Sequence, residues 1–552
     1  MTWDRPARSL SRRQFLLATG AGIAALRGGL GGAAEARRRK PNFLVIVADD
    51  MGYSDPGCYG DEVQTPHLDK LADGGIRFTQ VYSTGRCWPS RACIMTGYYA
   101  QQVRMDPPKG RLPAWSRCAP RYLKPLGYRC YHSGKWHIRA APKPCRDGGF
   151  DHSYLIGDHD RFFYPKRHLE DDKPLPPVKP GSDFYLTSFI ADHAIKCLKE
   201  HAAEHADKPF FEYLAFTCPH FPLHALKKDI AVYDGAYDVG WDVIRQRRLK
   251  RLQAMGIVTC GLSEPMPRTI PRWNLSEAKL KKQIGPGECG YAVPWDTLTD
   301  TQKRFQATKM AIHAAMVHRM DRDIGRVLDQ IRAMGQLDNT VVMFVSDNGA
   351  SAEQIIRGDR HDKSAPLGSA KSYLCLGPGW STASNTPFRL YKHWTHEGGI
   401  ASPLIVHWPA GLEAKGELRH NPGHFIDLLP TMVDLAGGNP SPETWKGKPM
   451  PPMEGRSLVP AFARDGSVHH DYLFFHHSGN RGLRIGDWKL VAAGRKGPWE
   501  LYDIAADRSE SNNLAKQHPD KLRELIDRWE SLEKRFRRMA ASEVWPLKDP
   551  GP

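Results

Sequence analysis

The chain has 552 residues, of which 41% are hydrophobic and 25% charged, a composition that excludes an intrinsically disordered chain. A chain of this length is too long to fold around one small hydrophobic core, and two to four domains are expected. The net charge of +17 suits polyanionic partners or a merely solvated surface, but 43 scattered prolines argue against a basic helical nucleic-acid-binding array.

The N-terminus has the pattern of an export signal. Ser11-Arg12-Arg13-Gln14-Phe15-Leu16 is a twin-arginine motif, an apolar run of 12 residues follows from Phe15 to Leu26, and Ala34-Glu35-Ala36 is a small-residue cleavage site. We therefore predict a removable signal at 1–36 and a periplasmic or extracellular protein. A membrane anchor is the alternative, but the run falls short of the ~20 residues that span a bilayer, so no stable membrane span is expected. The signal holds five arginines and two acidic residues, which leaves about +14 on the rest of the chain.

A near-continuous apolar run from Asn42 to Ala48 predicts a strand buried on both faces, typical of a mostly parallel sheet with helices outside. The run ends at Asp49-Asp50. In such sheets the chemistry lies beyond the carboxyl ends of the strands, and two adjacent carboxylates there repel each other unless a cation lies between them. A turn that caps the next element is the alternative interpretation of this pair.

A segment with a candidate nucleophile follows the second predicted strand, residues 76–82. It reads Arg86-Cys87-Trp88-Pro89-Ser90-Arg91-Ala92-Cys93-Ile94-Met95-Thr96-Gly97. Its proline favours a helix start, which places Cys87 where backbone amides and the helix dipole favour an anion, with Arg91 one turn on. A lone cysteine is otherwise most often a buried hydrophobe or half of a disulfide. The 11 cysteines include no C-x-x-C pair, which disfavours zinc.

Further cationic and imidazole groups follow two more apolar stretches. Gly134-Lys135-Trp136-His137 comes after the first, and alternation along an extended segment places Lys135 and His137 on the same side. His220 follows an aromatic-rich strand at residues 210–216. Each histidine alone is more often structural, but together with the acid pairs they supply several donors for one anion.

A second buried strand repeats the arrangement at Asp49-Asp50. Helical spacing predicts a long helix over about 304–334, after which a strand at 341–346 ends in Asp347-Asn348. The four oxygen-bearing side chains suit one hard cation, calcium most readily and magnesium next.

The remaining candidates lie in the second half of the chain. Lys392 lies among glycines and aromatic residues at 385–399, which indicates a pocket wall. A basic, irregular stretch at 235–300 is a weaker candidate for substrate contacts, through Trp241, Arg245, Arg247, Arg248, Trp273 and Trp295. Alternating strands at 482–504 and an amphipathic helix at about 519–539 indicate a smaller terminal unit. We predict a catalytic domain at 41–440 and, at 441–552, a C-terminal subdomain with a small antiparallel sheet and a terminal helix.

This ordered set of motifs resembles the formylglycine-dependent type I sulfatases of the arylsulfatase type, in the alkaline phosphatase-like superfamily. The resemblance runs from the Asp49-Asp50 strand to Trp499-Glu500-Leu501-Tyr502-Asp503. It implies an α/β fold, with a large mixed, mostly parallel sheet flanked by helices and a smaller C-terminal α+β subdomain. It also implies hydrolysis of a sulfate ester to an alcohol and inorganic sulfate. The basic, exported chain favours sulfated carbohydrate over a small aryl sulfate.

The resemblance further implies roles for individual residues. A formylglycine-generating enzyme oxidises Cys87 to formylglycine; one hydroxyl of its hydrate attacks sulfur, and the other later expels sulfate. The family's positions for one calcium ion are matched by Asp49, Asp50, Asp347, Asn348 and the modified Cys87. Its positions that hold formylglycine and sulfate are matched by Arg91, Lys135, His137, His220 and Lys392. In the family's scheme Asp347 assists deprotonation of the attacking hydroxyl, His137 the elimination, and His220 with Lys392 the leaving oxygen.

Two features depart from the family pattern. Residues 101–110 lack the histidine-containing pattern of many arylsulfatases. Trp88 is bulky where smaller residues are common, which narrows the entrance to the expected active site.

Two other functions are alternatives to a sulfatase. One is a phosphodiesterase or phosphonate monoester hydrolase of the same superfamily, and the other is a sulfated-glycan binding protein that has lost turnover.

Overall fold

The computed structural model of the chain describes residues 40–358 and 360–547, so the predicted signal at 1–36 lies outside the described residues. An eleven-stranded sheet forms the centre of the molecule. Its strands are β1 Asn42–Asp49, β2 Ile76–Tyr82, β3 Arg129–Gly134, β4 His152–Ile156, β5 His168–Glu170, β6 Lys173–Pro174, β7 Phe210–Pro219, β8 Thr340–Ser346, β9 Ala401–His407, β10 Glu417–Arg419 and β11 Gly423–His424.

The middle of this sheet is parallel and its margins are mixed. The strands β8, β1, β7, β3 and β4 are parallel neighbours in that order. On one side β9 is antiparallel to both β8 and β2, and β2 pairs in parallel with β10 and β11. On the other side β5 and β6 add antiparallel pairs. The mixed, mostly parallel sheet of the predicted fold class is confirmed.

Helices cover both faces of the sheet. They are α1 Pro66–Asp73, α2 Cys87–Thr96, α3 Pro120–Leu123, α4 Leu186–Glu204, α5 Lys227–Ile230, α6 Gly240–Ala254, α7 Glu277–Gln283, α8 Asp300–Ala333, α9 Pro378–Ser384, α10 Glu397–Ile400, α11 Leu428–Leu435, α12 Val459–Ala463 and α13 Pro519–Ala541. Because side chains alternate along a strand, Leu44 of β1 packs into the core with α4 and α8, while Val45 packs into the opposite core with α2 and α11.

A second, antiparallel sheet lies in the C-terminal part. It contains β14 Leu473–His477, β15 Asn480–Ile485, β16 Trp488–Ala492 and β17 Glu500–Asp503, and a two-stranded ribbon, β12 Thr444–Trp445 and β13 Lys448–Pro449, precedes it. Helix α13 packs on this sheet through Trp529 and Phe536, which contact Phe474. The predicted smaller C-terminal unit is therefore present.

Buried ion pairs tie this unit to the large sheet. Glu397 of α10 is fully buried and bonds the Lys489 ammonium at 2.7 Å and the Arg508 guanidinium at 2.9 Å. Removing one partner of such a pair leaves an uncompensated buried charge, which costs roughly 3–5 kcal/mol. The C-terminal sheet is thus held firmly against the carboxyl ends of the central strands.

Two further observations bear on the sequence predictions. All 11 cysteines lie in the described part of the chain, and each is a free thiol there. Within residues 40–358 and 360–547, no helix has the length and apolar character that a bilayer crossing requires.

Candidate active site

The acidic residues predicted at two strand ends meet at one edge of the sheet. Asp49 ends β1, and Asp347 and Asn348 directly follow β8. Because β1 and β8 are parallel neighbours, these side chains emerge side by side. Asn348 Nδ2 donates to Asp50 Oδ1 at 2.8 Å, and the Asp50 amide donates to Asp347 Oδ1 at 3.3 Å. Three carboxyl groups and one amide therefore share a site almost closed to solvent.

This donor set fits a metal ion. Ligand atoms of Asp49, Asp347 and Cys87 lie within 4.8 Å of one another. Asp49 Oδ1 and Asn348 Oδ1 are buried and have no hydrogen-bond partner in the described part of the chain. Burial raises the pKa of Asp49 to about 7, against the opposing effect of Lys135. A hard cation satisfies the orphaned oxygens and favours the ionised carboxylates.

Cys87 lies at the N-terminus of a helix, as predicted, and is itself the first residue of α2. The residue is 3% exposed, and burial raises the pKa of the thiol although Lys135 and Lys392 oppose the effect. The unmodified thiol is therefore held protonated, a state in which sulfur is a weak nucleophile.

Each acidic side chain of the site has a cation of its own. The Lys135 ammonium bonds Asp49, Lys392 Nζ lies 2.6 Å from Asp50 Oδ2, and Arg91 Nε donates to Asp347 Oδ2 at 2.8 Å. The guanidinium of Arg91 also donates to the Lys135 carbonyl at 2.8 Å. Arg91, Lys135 and Lys392 are buried. This alternation of charge keeps three cations close together around the Cys87 side chain.

The two predicted histidines are linked through a third. The ring of His159 lies 5.4 Å from that of His137 and 5.3 Å from that of His220, between centroids. His220 Nε2 is also 3.6 Å from Asp50 Oδ2. Burial and the nearby Lys135 lower the pKa of all three imidazoles well below the ordinary value. They are therefore neutral around pH 7.

The geometry assumed for His137 was wrong. Strand β3 ends at Gly134, and His137 has a left-handed backbone with φ of 58°, so Lys135 and His137 do not alternate along an extended segment. The side chains converge because the chain turns sharply after the strand. Such a turn has no signal in an alternation pattern.

A buried carboxylate, Glu353, organises one wall of the site and was not predicted from the sequence. Glu353 Oε2 lies 3.2 Å from Lys392 Nζ, and Glu353 Oε1 lies 3.2 Å from Arg86 Nη2. Trp273 Nε1 also donates to Glu353 Oε1 at 2.8 Å. Although burial opposes it, Lys392 and Arg86 hold the pKa of Glu353 far below its ordinary value. No local pattern marks Glu353, because its partners Arg86 and Lys392 lie in distant parts of the chain.

Most of the weak candidates at 235–300 are structural. The indoles of Trp241 and Trp295 pack edge to face at 4.8 Å in the core. Arg248 is fully buried, with Nη1 2.8 Å from Asp55 Oδ1 and Nη2 2.7 Å from Asp61 Oδ1. Trp273, by contrast, reaches the site through Glu353.

Comparison with known proteins places the chain in a family. Residues 41–438 match the family model described as sulfatase, and residues 388–539 match the one described as N-sulphoglucosamine sulphohydrolase, C-terminal. The chain belongs to the sulfatase family. Because its relatives also bear the names of sulfatases, this sulfatase is a sulfuric ester hydrolase.

Three relatives align with most of the chain. The sulfatase is 32% identical to an uncharacterized sulfatase of Schizosaccharomyces pombe, over 90% of this chain and 94% of that protein. It is 30% identical to the arylsulfatase of Klebsiella aerogenes, over 78% and 93%. It is 26% identical to the N-acetylglucosamine-6-O-sulfatase of Bacteroides thetaiotaomicron, over 90% and 87%.

Solved structures share the fold at lower identity. A structure in complex with its substrate, D-glucosamine-2-N,6-O-disulfate, has a TM-score of 0.61 and 22% identity, covering 90% of this chain and 98% of that one. The phosphonate monoester hydrolase of Silicibacter pomeroyi has a TM-score of 0.57 and 19% identity, over 91% and 97%. At this level the likeness shows the fold alone, which both kinds of hydrolase share.

Proposed function

We propose that this sulfatase removes sulfate from a sulfated carbohydrate, using formylglycine formed from Cys87 and one calcium ion. The observation that carries the proposal is the buried site in which Cys87 lies among three carboxylates, three cations and two orphaned oxygen atoms. Names of relatives support the substrate class, since one is an N-acetylglucosamine-6-O-sulfatase. The basic chain is consistent with an anionic glycan.

The calcium ion would be held by Asp49, Asp50, Asp347, Asn348 and the modified residue 87. Bound there, it supplies positive charge that offsets the negative charge building up on the sulfate oxygens. All-oxygen ligands and several carboxylates favour calcium first and magnesium second. Formylglycine, as its hydrate, supplies an oxygen nucleophile where the buried thiol is protonated.

The side chains around Cys87 divide into cations and proton carriers. Lys135 and Lys392 present ammonium groups to the sulfate, and Arg91 fixes both Asp347 and the Lys135 backbone. Asp347 Oδ2, oriented by Arg91 Nε, accepts a proton during attack. The position and charge of these side chains support the roles that the resemblance implies, in which the cations stabilise an anionic transition state.

The histidines serve the other proton transfers in this proposal. His137 accepts a proton when sulfate is expelled, because its imidazole is neutral. His220 lies close to Asp50 Oδ2, and together with Lys392 it serves the leaving oxygen. Because the His220 imidazole is neutral, it stabilises that oxygen, and the charged Lys392 ammonium supplies the proton. His159 contacts both rings and orients them.

The twin-arginine pattern supports export to the periplasm or the exterior after maturation by a formylglycine-generating enzyme. Sulfatase carried across in the folded state would be modified before export. Replacing Arg12 and Arg13 by lysine should retain the protein in the cytoplasm. Unchanged export of that variant would remove the twin-arginine proposal and leave the hydrolytic one intact.

The function is tested by release of inorganic sulfate from monosulfated sugars, with an aryl sulfate and an aryl phosphate diester assayed in parallel. We expect release by the wild type, no release by Cys87→Ala, and near wild-type release by Cys93→Ala, the matched control on the same helix. Faster turnover of the phosphate diester would favour the phosphonate hydrolase alternative. Tight sugar binding without sulfate release would favour the binding-protein alternative.

A further inference from the structure

Five side chains form a closed ring next to Cys87, and we call this group the rim ring. Its members are Arg86, Trp88, Trp273, His393 and His477. The Arg86 guanidinium carbon lies 5.2 Å from the Trp88 ring and 5.6 Å from the Trp273 ring. Centroid distances of 4.9, 5.1 and 5.4 Å then join Trp273 to His393, His393 to His477 and His477 to Trp88. The group draws on four separate parts of the chain.

The rim ring is attached to the residues of the active site. Trp88 contacts His137, with ring centroids 5.6 Å apart. Arg86 and Trp273 both bond Glu353, which also bonds Lys392. The rim ring therefore borders Lys392 and His137. Lys392 is the residue proposed to serve the leaving alcohol oxygen, so the alcohol part of a substrate would lie on this side.

Trp273 is both exposed and anchored. The residue is 43% exposed, and the other large hydrophobic residues with comparable exposure in the described part of the chain are valines. Its indole nitrogen nevertheless donates to buried Glu353. An aromatic face fixed in this way offers contact area at little cost in side-chain ordering.

Several polar atoms of the rim ring lack partners. Trp88 Nε1, His393 Nδ1 and two guanidinium nitrogens of Arg86 are buried and have no hydrogen-bond partner in the described part of the chain. Burial and the neighbouring His477 lower the pKa of His393 to about 3, so it is neutral around pH 7. Unsatisfied polar atoms beside aromatic faces match a ring that carries hydroxyl groups better than a plain aryl ring.

We propose that the rim ring binds the sugar ring that carries the sulfate, with the Trp273 indole as its stacking face and specificity determinant. The inference rests on the proposed function and deepens it, because it assigns the leaving group to a pyranose. Trp273 contacts the leaving group and not the sulfate. Its removal should therefore weaken binding of the whole substrate and leave the sulfate-binding residues unchanged.

The test compares Trp273→Ala and Trp273→Phe with Trp488→Ala, a control on the C-terminal sheet. The substrates are a monosulfated N-acetylhexosamine and 4-nitrophenyl sulfate. Covering the exposed indole face is worth about tenfold in affinity. We expect Trp273→Ala to raise KM for the sugar about tenfold with kcat little changed. Trp273→Phe should raise KM less, because the phenyl ring keeps part of the stacking face. The inhibition constant of inorganic sulfate should stay within about twofold of wild type.

A binding measurement gives a second readout that needs no formylglycine. Calorimetric titration of the sulfated sugar into Cys87→Ala, with and without Trp273→Ala, should show about tenfold weaker binding for the double variant. Unchanged sugar affinity would overturn the inference, and so would a parallel loss of sulfate binding.

Failure of the proposed function would look different. If the wild type hydrolyses 4-nitrophenyl sulfate but releases no sulfate from sugars, the carbohydrate proposal is wrong and the assignment of a pyranose falls with it. If wild type and Trp273→Ala both release sulfate and have the same KM for the sugar, the rim-ring inference alone is overturned.

Discussion

Glu212 provides a stability test of how the sheet is built. It is the third residue of β7, opposite Leu44 of β1 and Tyr131 of β3, and is fully buried. Neither carboxyl oxygen has a hydrogen-bond partner of ordinary geometry in the described part of the chain, although the Ser133 hydroxyl is close enough to lower its pKa slightly. Burial raises the pKa of Glu212 to about 8.

The sign of the pH dependence follows from this shift. The ordinary pKa of 4.5 applies to the unfolded chain, so between pH 4.5 and about 8 the folded protein keeps a proton that the unfolded chain releases. The contribution of Glu212 to stability is full below pH 4.5 and is lost as pH rises through about 8. At about 1.4 kcal/mol per pH unit, the loss by pH 7 is about 3 kcal/mol.

The substitution Glu212→Gln keeps the shape and removes the ionisation. The melting temperature of this variant relative to wild type should therefore rise as pH is raised from 5 to 8, to a gain equivalent to about 3 kcal/mol near pH 7. Glu530→Gln on the exposed face of α13 is the control and should show a constant difference. A difference for Glu212→Gln that is independent of pH, or that falls with pH, would refute the reasoning.

Three further predictions concern the active site. Lys392→Ala removes the cation beside Asp50 and should lower kcat/KM for a sulfate ester by about 100-fold or more, with an unchanged circular dichroism spectrum; unaltered hydrolysis would exclude Lys392 from the site. Glu353→Gln frees Lys392, Arg86 and Trp273 and should lower kcat about tenfold while raising KM for the sugar; wild-type values of both would contradict a positioning role. Chelation should remove about one calcium per chain and lower the melting temperature of wild type but not of Asp49→Asn; equal shifts in both would argue against this metal site.

The parts of the site that sequence could predict are those fixed by local patterns. Apolar runs located the ends of β1 and β8, and their parallel pairing then brings Asp49 and Asp347 together. The helix that begins at Cys87 has its own local signal in the following proline. These features depend on residues close in the chain, so a single sequence suffices to infer them.

The other parts depend on contacts between distant segments. Glu353 bonds Arg86, which lies 267 positions earlier in the chain, as well as Lys392, and no spacing rule indicates this pairing. The same limit explains why Arg248, in the stretch 235–300, was wrongly considered a candidate for substrate contact. In the structure its buried guanidinium pairs with Asp55 and Asp61, which lie far away in the chain. The local sequence does not distinguish a buried arginine that pairs with several carboxylates from an exposed arginine.

The chemical state of residue 87 tests the proposed mechanism most directly. Mass spectrometry of the peptide that contains Cys87, from protein that releases inorganic sulfate, would show which group residue 87 carries. We predict an aldehyde in place of the thiol, in a fraction that scales with specific activity across preparations. An unmodified thiol at Cys87 in fully active protein would contradict the mechanism.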